Sequence, residues 1–190
     1  MESKEQEVFD AKNINTQSFS STQFYECRFE KVPFVEKDFR SAQFIDCSFK
    51  ACQFHQVMME GCRLQDTIFE DCKIVGGEFF LCHQRFFSPR FLRSILLGCN
   101  FSQVKLSGGN FFQSKVKDCS FTGAHLLGAN FQEADLEGSI FHHTELSGAD
   151  FRQAKNYAID PRFNTLKEAQ FSVPEVLSLL EVFSIQISAS

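Results

Sequence analysis

Large apolar side chains recur at every fifth position of this chain. From Phe9 the steps fall on Ile14, Phe19, Phe24, Phe29, Phe34, Phe39, Phe44, Phe49, Phe54, Met59, Leu64, Phe69, Ile74 and Phe79, fifteen apolar centres in succession. The register then slips by two residues. It resumes at Phe86 and runs through Phe91, Leu96, Phe101, Leu106, Phe111, Val116, Phe121, Leu126, Phe131, Leu136, Phe141 and Leu146 to Phe151, fourteen more. A period of five fits neither the 3.6 of a helix nor the 2 of a strand. It requires a chain that turns a corner every five residues, and a fixed short repeat of this kind marks a solenoid.

A second position supports the same reading. Two residues before most centres stands a small side chain, such as Thr22, Cys47, Ala129 or Ala149. Glu7, Lys12, Gln17 and Lys37 break this rule, which predicts irregular N-terminal coils. Two residues after the centre, Gly recurs at Gly61, Gly76, Gly98, Gly108, Gly123, Gly128, Gly138 and Gly148. That is where a tight turn needs a positive φ. Most of these lie in the second half, which is therefore expected to be the more regular.

The runs AHLLG (124–128), ANFQEADLEG (129–138) and ADFRQ (149–153) resemble the pentapeptide-repeat family over about residues 7–155. The resemblance implies an all-β fold, a right-handed quadrilateral β-helix. Four sides would close a coil of about twenty residues, and each centre would stack on the residue twenty later.

All eight cysteines, including Cys82 on the old register, fall on the small position, so the break lies after Cys82. There is no C-x-x-C and no Cys/His set at zinc spacing, so they read as small buried hydrophobes. Cys27/Cys47, Cys52/Cys72, Cys62/Cys82 and Cys99/Cys119 are each twenty apart. In such coils they would stack about 4.8 Å apart, and they are expected to be reduced thiols.

The register break at 80–86 lies in a disturbed stretch, FLCHQRFFSPRFLRSI (80–95). Gln84 occupies a centre, and Phe80, Phe87 and Leu92 are apolar but off-centre. Arg85, Phe87, Arg90 and Arg93 either form an exposed contact site or belong to an insertion repacked into the core. After Phe151 the repeat is expected to stop. Domain boundaries are therefore set at 1–155 for the solenoid and 156–190 for a C-terminal cap and dimerisation segment. Ser172, Pro174 and Glu175 resemble the capping box of a short α-helix. Val176, Leu177, Leu180 and Phe183 form an apolar stripe at helical spacing. The stripe serves as a cap alone, or as a cap and a two-fold dimer interface.

Composition narrows the function. The chain has 25 Phe, 2 Tyr and no Trp, so it fills its interior without polar handles. Residues 1–80 carry 9 basic and 14 acidic side chains, residues 81–116 carry 5 basic and none acidic, and residues 117–190 carry 5 and 10. The overall charge of −5 argues against direct DNA binding. The polar N-terminus lacks a signal-peptide core and no run is long enough to span a membrane, so a cytoplasmic location is expected. No catalytic, cofactor-binding or metal-binding constellation is found, and the five His do not form one. The chain is therefore not expected to be an enzyme, and function is expected on the outer surface.

The tail from Asn156 to Leu180 resembles the gyrase-protecting branch of the family: quinolone-resistance, albicidin-resistance and microcin-immunity proteins. That resemblance implies a homodimer, joined at its C-terminal end, that mimics DNA on gyrase or topoisomerase IV. Asp118, Glu133, Asp135, Glu137, Glu145 and Asp150 are the candidate acidic contacts. The alternative is a structural or adaptor solenoid with an unrelated protein partner.

Overall fold

The structure, a computed structural model, describes residues 2–14 and 18–186. It is a right-handed quadrilateral β-helix of about eight turns. Within each side the centre points inward and its two neighbours point outward, as alternation along a strand requires. The four sides are named here by the centres Phe24, Phe29, Phe34 and Phe39. All strand pairs are parallel. Gln23–Tyr25, Gln43–Ile45 and Arg63–Gln65 stack on the Phe24 side. Arg28–Glu30, Ser48–Lys50 and Ile68–Glu70 stack on the Phe29 side. Pro33–Val35, Gln53–His55 and Lys73–Val75 stack on the Phe34 side. Isolated bridges such as Asp38 to Met58 hold the Phe39 side.

The interior explains the excess of Phe. Along the axis rings stack flat: Phe24 on Phe44 at 5.0 Å and 8°, Phe111 on Phe131 at 4.8 Å and 2°. Around one coil they meet edge to face, as Phe111 meets Phe121 at 5.6 Å and 89°. The flat spacing is close to that of adjacent strands. Each buried ring contributes about 1.5–3 kcal/mol by burial, and favourable ring pairs add about 0.5–1.5 kcal/mol. Every predicted centre is buried except Phe86.

The corners hold the small residues as expected, and all eight cysteines are buried there. Several donate to the carbonyl of a centre in the preceding coil: Cys47 Sγ to Phe24 O, Cys52 Sγ to Phe29 O and Cys72 Sγ to Phe49 O, each at 3.3 Å. Thr67 Oγ1 and Ser114 Oγ do the same to Phe44 O and Phe91 O at 3.2 and 3.1 Å. A small side chain with one donor suits this place. Of the four exceptions, Glu7 and Lys12 are exposed, Lys37 is half-buried, and Gln17 lies outside the described residues.

In the second half the corners close as hydrogen-bonded turns. Ala124 N donates to Phe121 O, and Ala149 N to Leu146 O, both at 3.0 Å. Gly123 and Gly148 supply the required φ of +68° and +67°. Earlier coils put non-glycine residues there, among them Glu26 and Asp46 at +52° and +54°.

Two departures from the expected register matter. At the break, Phe69 pairs with Phe91, not with a residue twenty later. Phe86 was expected at the centre, but it is 37% exposed and Phe87 turns inward at 5%. Gln84 fills the gap by folding back. Its Nε2 donates to Phe79 O and Cys82 O at 3.2 and 2.9 Å, and its Oε1 accepts Lys105 N–H at 3.2 Å.

Nor does the ladder stop at Phe151. Asn156 turns outward at φ +59°, Tyr157 packs inward, and Ala158–Ile159 pairs with Ile140–Phe141, two residues short of a full coil. Gln170–Phe171 then pairs with Asp150–Phe151, and the Phe151 and Phe171 rings stack at 5.1 Å. The boundary expected at 155/156 thus falls inside the ladder. The cap is a 3-10 helix, Glu175–Phe183, and not an α-helix. The expected capping box does not form: the helix begins after Pro174, not after Ser172, and Ser172 Oγ accepts Gln153 N–H at 3.0 Å.

Candidate functional site

A square rod filled with phenylalanine presents only its outer faces. Positions twenty apart stand one coil apart, so outward charges form columns along the rod. The six acidic candidates are divided over three sides. Asp118, Asp135 and Glu137 come together on the Phe34 side, around Lys117. Its Nζ lies 3.2 Å from Asp135 and also pairs with Glu137. Burial opposes ionisation of Asp135, yet hydrogen bonds from Asn156 and Lys117 outweigh it and hold the carboxyl below its ordinary value.

Glu133 and Asp150 lie on the Phe29 side. Glu133 accepts Gln113 Nε2–H at 2.8 Å, and Asp150 is bound by Arg152 at 2.6 Å. Glu145 lies on the Phe24 side, where its carboxylate accepts Ser147 N–H at 2.8 Å. Asp135, Glu137 and Asp150 are therefore neutralised locally, and the six residues do not share one face within a protomer.

Sequence reasoning missed a clearer acidic feature. Glu26, Asp46 and Asp66 occupy the same outward corner of three consecutive coils, between the Phe24 and Phe29 sides. Glu26 N–H binds Ile45 O and Asp46 N–H binds Gln65 O, both at 3.0 Å. None of the three carries an ion pair among the described residues. Glu26 instead accepts Gln6 Nε2–H at 2.8 Å, and Asp66 accepts the Ser88 hydroxyl at 3.2 Å. Arg28 lines a shallow hollow with Glu26 and Asp46. The Glu26 carboxylate, the largest of several causes, raises the Tyr25 hydroxyl above its ordinary value. The twenty-residue step was the signal that would have found this column.

The break separates its four candidates. Phe87 is core, not surface. Arg93 is held by Glu70 and by Asp71, the latter at 3.3 Å. Arg85 and Arg90 are exposed. Phe86, not singled out as a contact, lies beneath the Arg63 guanidinium at 4.1 Å and near that of Arg85 at 5.2 Å.

At the C-terminal end, the three-residue turn of the 3-10 helix re-sorts the apolar stripe. Leu179 packs against the core, with Val176 one turn before it. Leu177, Leu180 and Phe183 fall on another line, and Leu177 and Phe183 are 40% and 50% exposed. Phe163 is also exposed, and Arg162 lies 5.6 Å from its ring and 5.9 Å from that of Phe183. Among the described residues no His, Cys, Asp and Glu group is arranged to hold a metal ion. No helix among them is long and apolar enough to cross a membrane.

Two family models match the chain: a pentapeptide repeat region over residues 22–97, and pentapeptide repeats (8 copies) over residues 117–154. No curated protein matches it. Among solved structures it is similar to full-length QnrB1, a plasmid-mediated fluoroquinolone resistance protein. That match has 16% identity and a TM-score of 0.49, covering 96% of this chain and 100% of the other. It is also similar to HetL, a pentapeptide repeat protein involved in heterocyst differentiation regulation from Nostoc sp. strain PCC 7120. Here the identity is 15% and the TM-score 0.35, covering 88% and 82%.

Proposed function

The chain belongs to the pentapeptide-repeat family, and from that premise we propose that it is an interaction protein for a type II topoisomerase, gyrase or topoisomerase IV. It would act without catalysis of its own, by occupying the enzyme's DNA-binding surface and displacing poisons. Such a target puts its site of action in the cytoplasm.

The observation that carries the reading is the column of carboxylates at Glu26, Asp46 and Asp66, which carry no ion pair among the described residues and accept only neutral donors, Gln6 at Glu26 and Ser88 at Asp66. It displays one negative charge per coil, about every 4.8 Å, against one per about 3.4 Å along a single DNA strand. The tail at 156–180 supports it through its resemblance to the gyrase-protecting branch. So does the line of Leu177, Leu180 and Phe183, exposed at Leu177 and Phe183 and half-buried at Leu180, which a two-fold partner would cover. A dimer joined there carries its two acidic columns on its outer arms.

The test is Leu180→Asp. It is expected to yield a monomer by light scattering and to lose protection of the topoisomerase. A monomeric variant that protects fully contradicts the dimer model. A second reading, an adaptor for an unrelated protein partner, is favoured by the ion pairing of Asp135, Glu137 and Asp150, which leaves little phosphate-like charge near the C-terminal end. Under that reading Leu180→Asp changes the oligomeric state and no topoisomerase activity.

A further inference from the structure

We propose that the register break builds a docking surface for an acidic, apolar-bearing segment of a partner polypeptide. The surface is a by-product of how the two extra residues are accommodated. Gln84 uses its amide to tie off Phe79 O, Cys82 O and Lys105 N–H, and Phe87 takes the interior place. Phe86 is thereby left outside on the Phe24 side at 37% exposure, with Phe80 at 43% and Leu81 at 37% on the preceding corner. An isolated exposed apolar residue is ordinary, whereas an exposed ring fringed by cations, as Phe86 is, marks a contact surface.

The fringe is basic. Arg63 and Arg85 approach the Phe86 ring at 4.1 and 5.2 Å. Arg85 and Lys105 line a hollow of about 570 Å³ beside that ring. None of these three cations carries an ion pair among the described residues. Arg63 is turned by Gln65, whose Oε1 accepts its Nε–H at 3.0 Å. One carboxylate, Asp66, also lines the hollow, and it is occupied with Ser88. Segment 81–116 has no acidic residue at all.

This arrangement favours a carboxylate-bearing peptide over a nucleic acid. The Phe86 ring already has guanidinium partners, so it is not a free platform for base stacking. The planar guanidinium N–H groups suit bidentate carboxylates. The column at Asp46 and Asp66 runs along one edge of the same side and repels a long polyanion, whereas a short segment meets only Asp66, which lines the hollow and is already bound by Ser88. Hot spots of this kind combine an aromatic anchor with Arg.

The inference does not rest on the topoisomerase reading and is tested separately. The probe is a labelled short peptide of alternating glutamate and leucine with one phenylalanine, titrated by fluorescence anisotropy between about 50 and 500 mM salt. Binding is expected, weakening as salt rises. Phe86→Ala and Arg85→Glu are each expected to weaken it roughly tenfold or more, about 1.4 kcal/mol. Both side chains are exposed, so the fold is retained, which circular dichroism checks. Arg152→Glu, on another side, is expected to have no effect. Absence of binding, equal binding of the lysine-for-glutamate peptide, or tighter binding of a single-stranded oligonucleotide overturns the proposal.

Discussion

The Phe69 ring lies flat on that of Phe91, 5.1 Å away and inclined by 18°, although the pair spans two residues more than a regular coil. The stack is thus continuous through the break. The extra length is discharged outward at Phe86 while Phe87 closes the interior. A column that tolerates a local insertion without losing its spacing has its stability in the rings and not in the loop that connects them.

Truncating Phe91 is therefore expected to cost about 3–5 kcal/mol, the range for a fully buried Phe. Phe86→Ala is expected to change stability by less than about 0.5 kcal/mol. Urea unfolding midpoints of the two variants measure the contrast, and equal losses would refute this account of the break.

Tyr157 is buried at 4% exposure, and its hydroxyl has no hydrogen-bond partner. It sits where the second register shift turns Asn156 outward, beneath the cap. Burying an unpaired hydroxyl costs about 1–3 kcal/mol, so Tyr157→Phe is expected to stabilise the protein by about 1 kcal/mol. Calorimetry showing a lower Tm for Tyr157→Phe would mean that the hydroxyl is satisfied in solution.

Burial pushes the Cys47 thiol up to about 12 from an ordinary value of 9.0, and Tyr157 up to about 12 from 10.0. Both groups have folded values above their unfolded ones. Their contribution to stability is therefore complete below about pH 9. It is lost as pH rises toward the folded values, because the unfolded chain releases these protons first. Urea midpoints are expected to be level from pH 7 to about 8.5 and to fall above pH 9, less steeply in Cys47→Ala. A midpoint that holds to pH 11 would contradict the buried-thiol contribution.

Much of this architecture was legible in the sequence. Phe at every fifth position, small corners and recurring Gly specify the square coil, because each is required by its packing or its turn. The exchange of Phe86 and Phe87 was not legible. Both are Phe, and only the path of the backbone around Gln84 decides which one faces inward. The last coil was hidden for a similar reason: Asn156 stands where a centre was due, and the shift there has the opposite sign. The cap was misassigned because the helix begins after Pro174, two residues beyond Ser172, whose hydroxyl accepts Gln153 N–H from the preceding coil. The ion pairing of Lys117 with Glu137 was readable in principle, since the two are twenty apart and therefore one coil apart.

The central claim is tested most directly by gyrase supercoiling in the presence of a poison, with and without this protein, over a range of salt. The account predicts restored supercoiling and fewer cleaved complexes, an effect that weakens as salt rises and is reduced when Glu26, Asp46 and Asp66 are replaced together by Asn or Gln. Supercoiling that is neither rescued nor inhibited at any protein concentration would contradict the topoisomerase reading, leaving the solenoid as an adaptor for another partner.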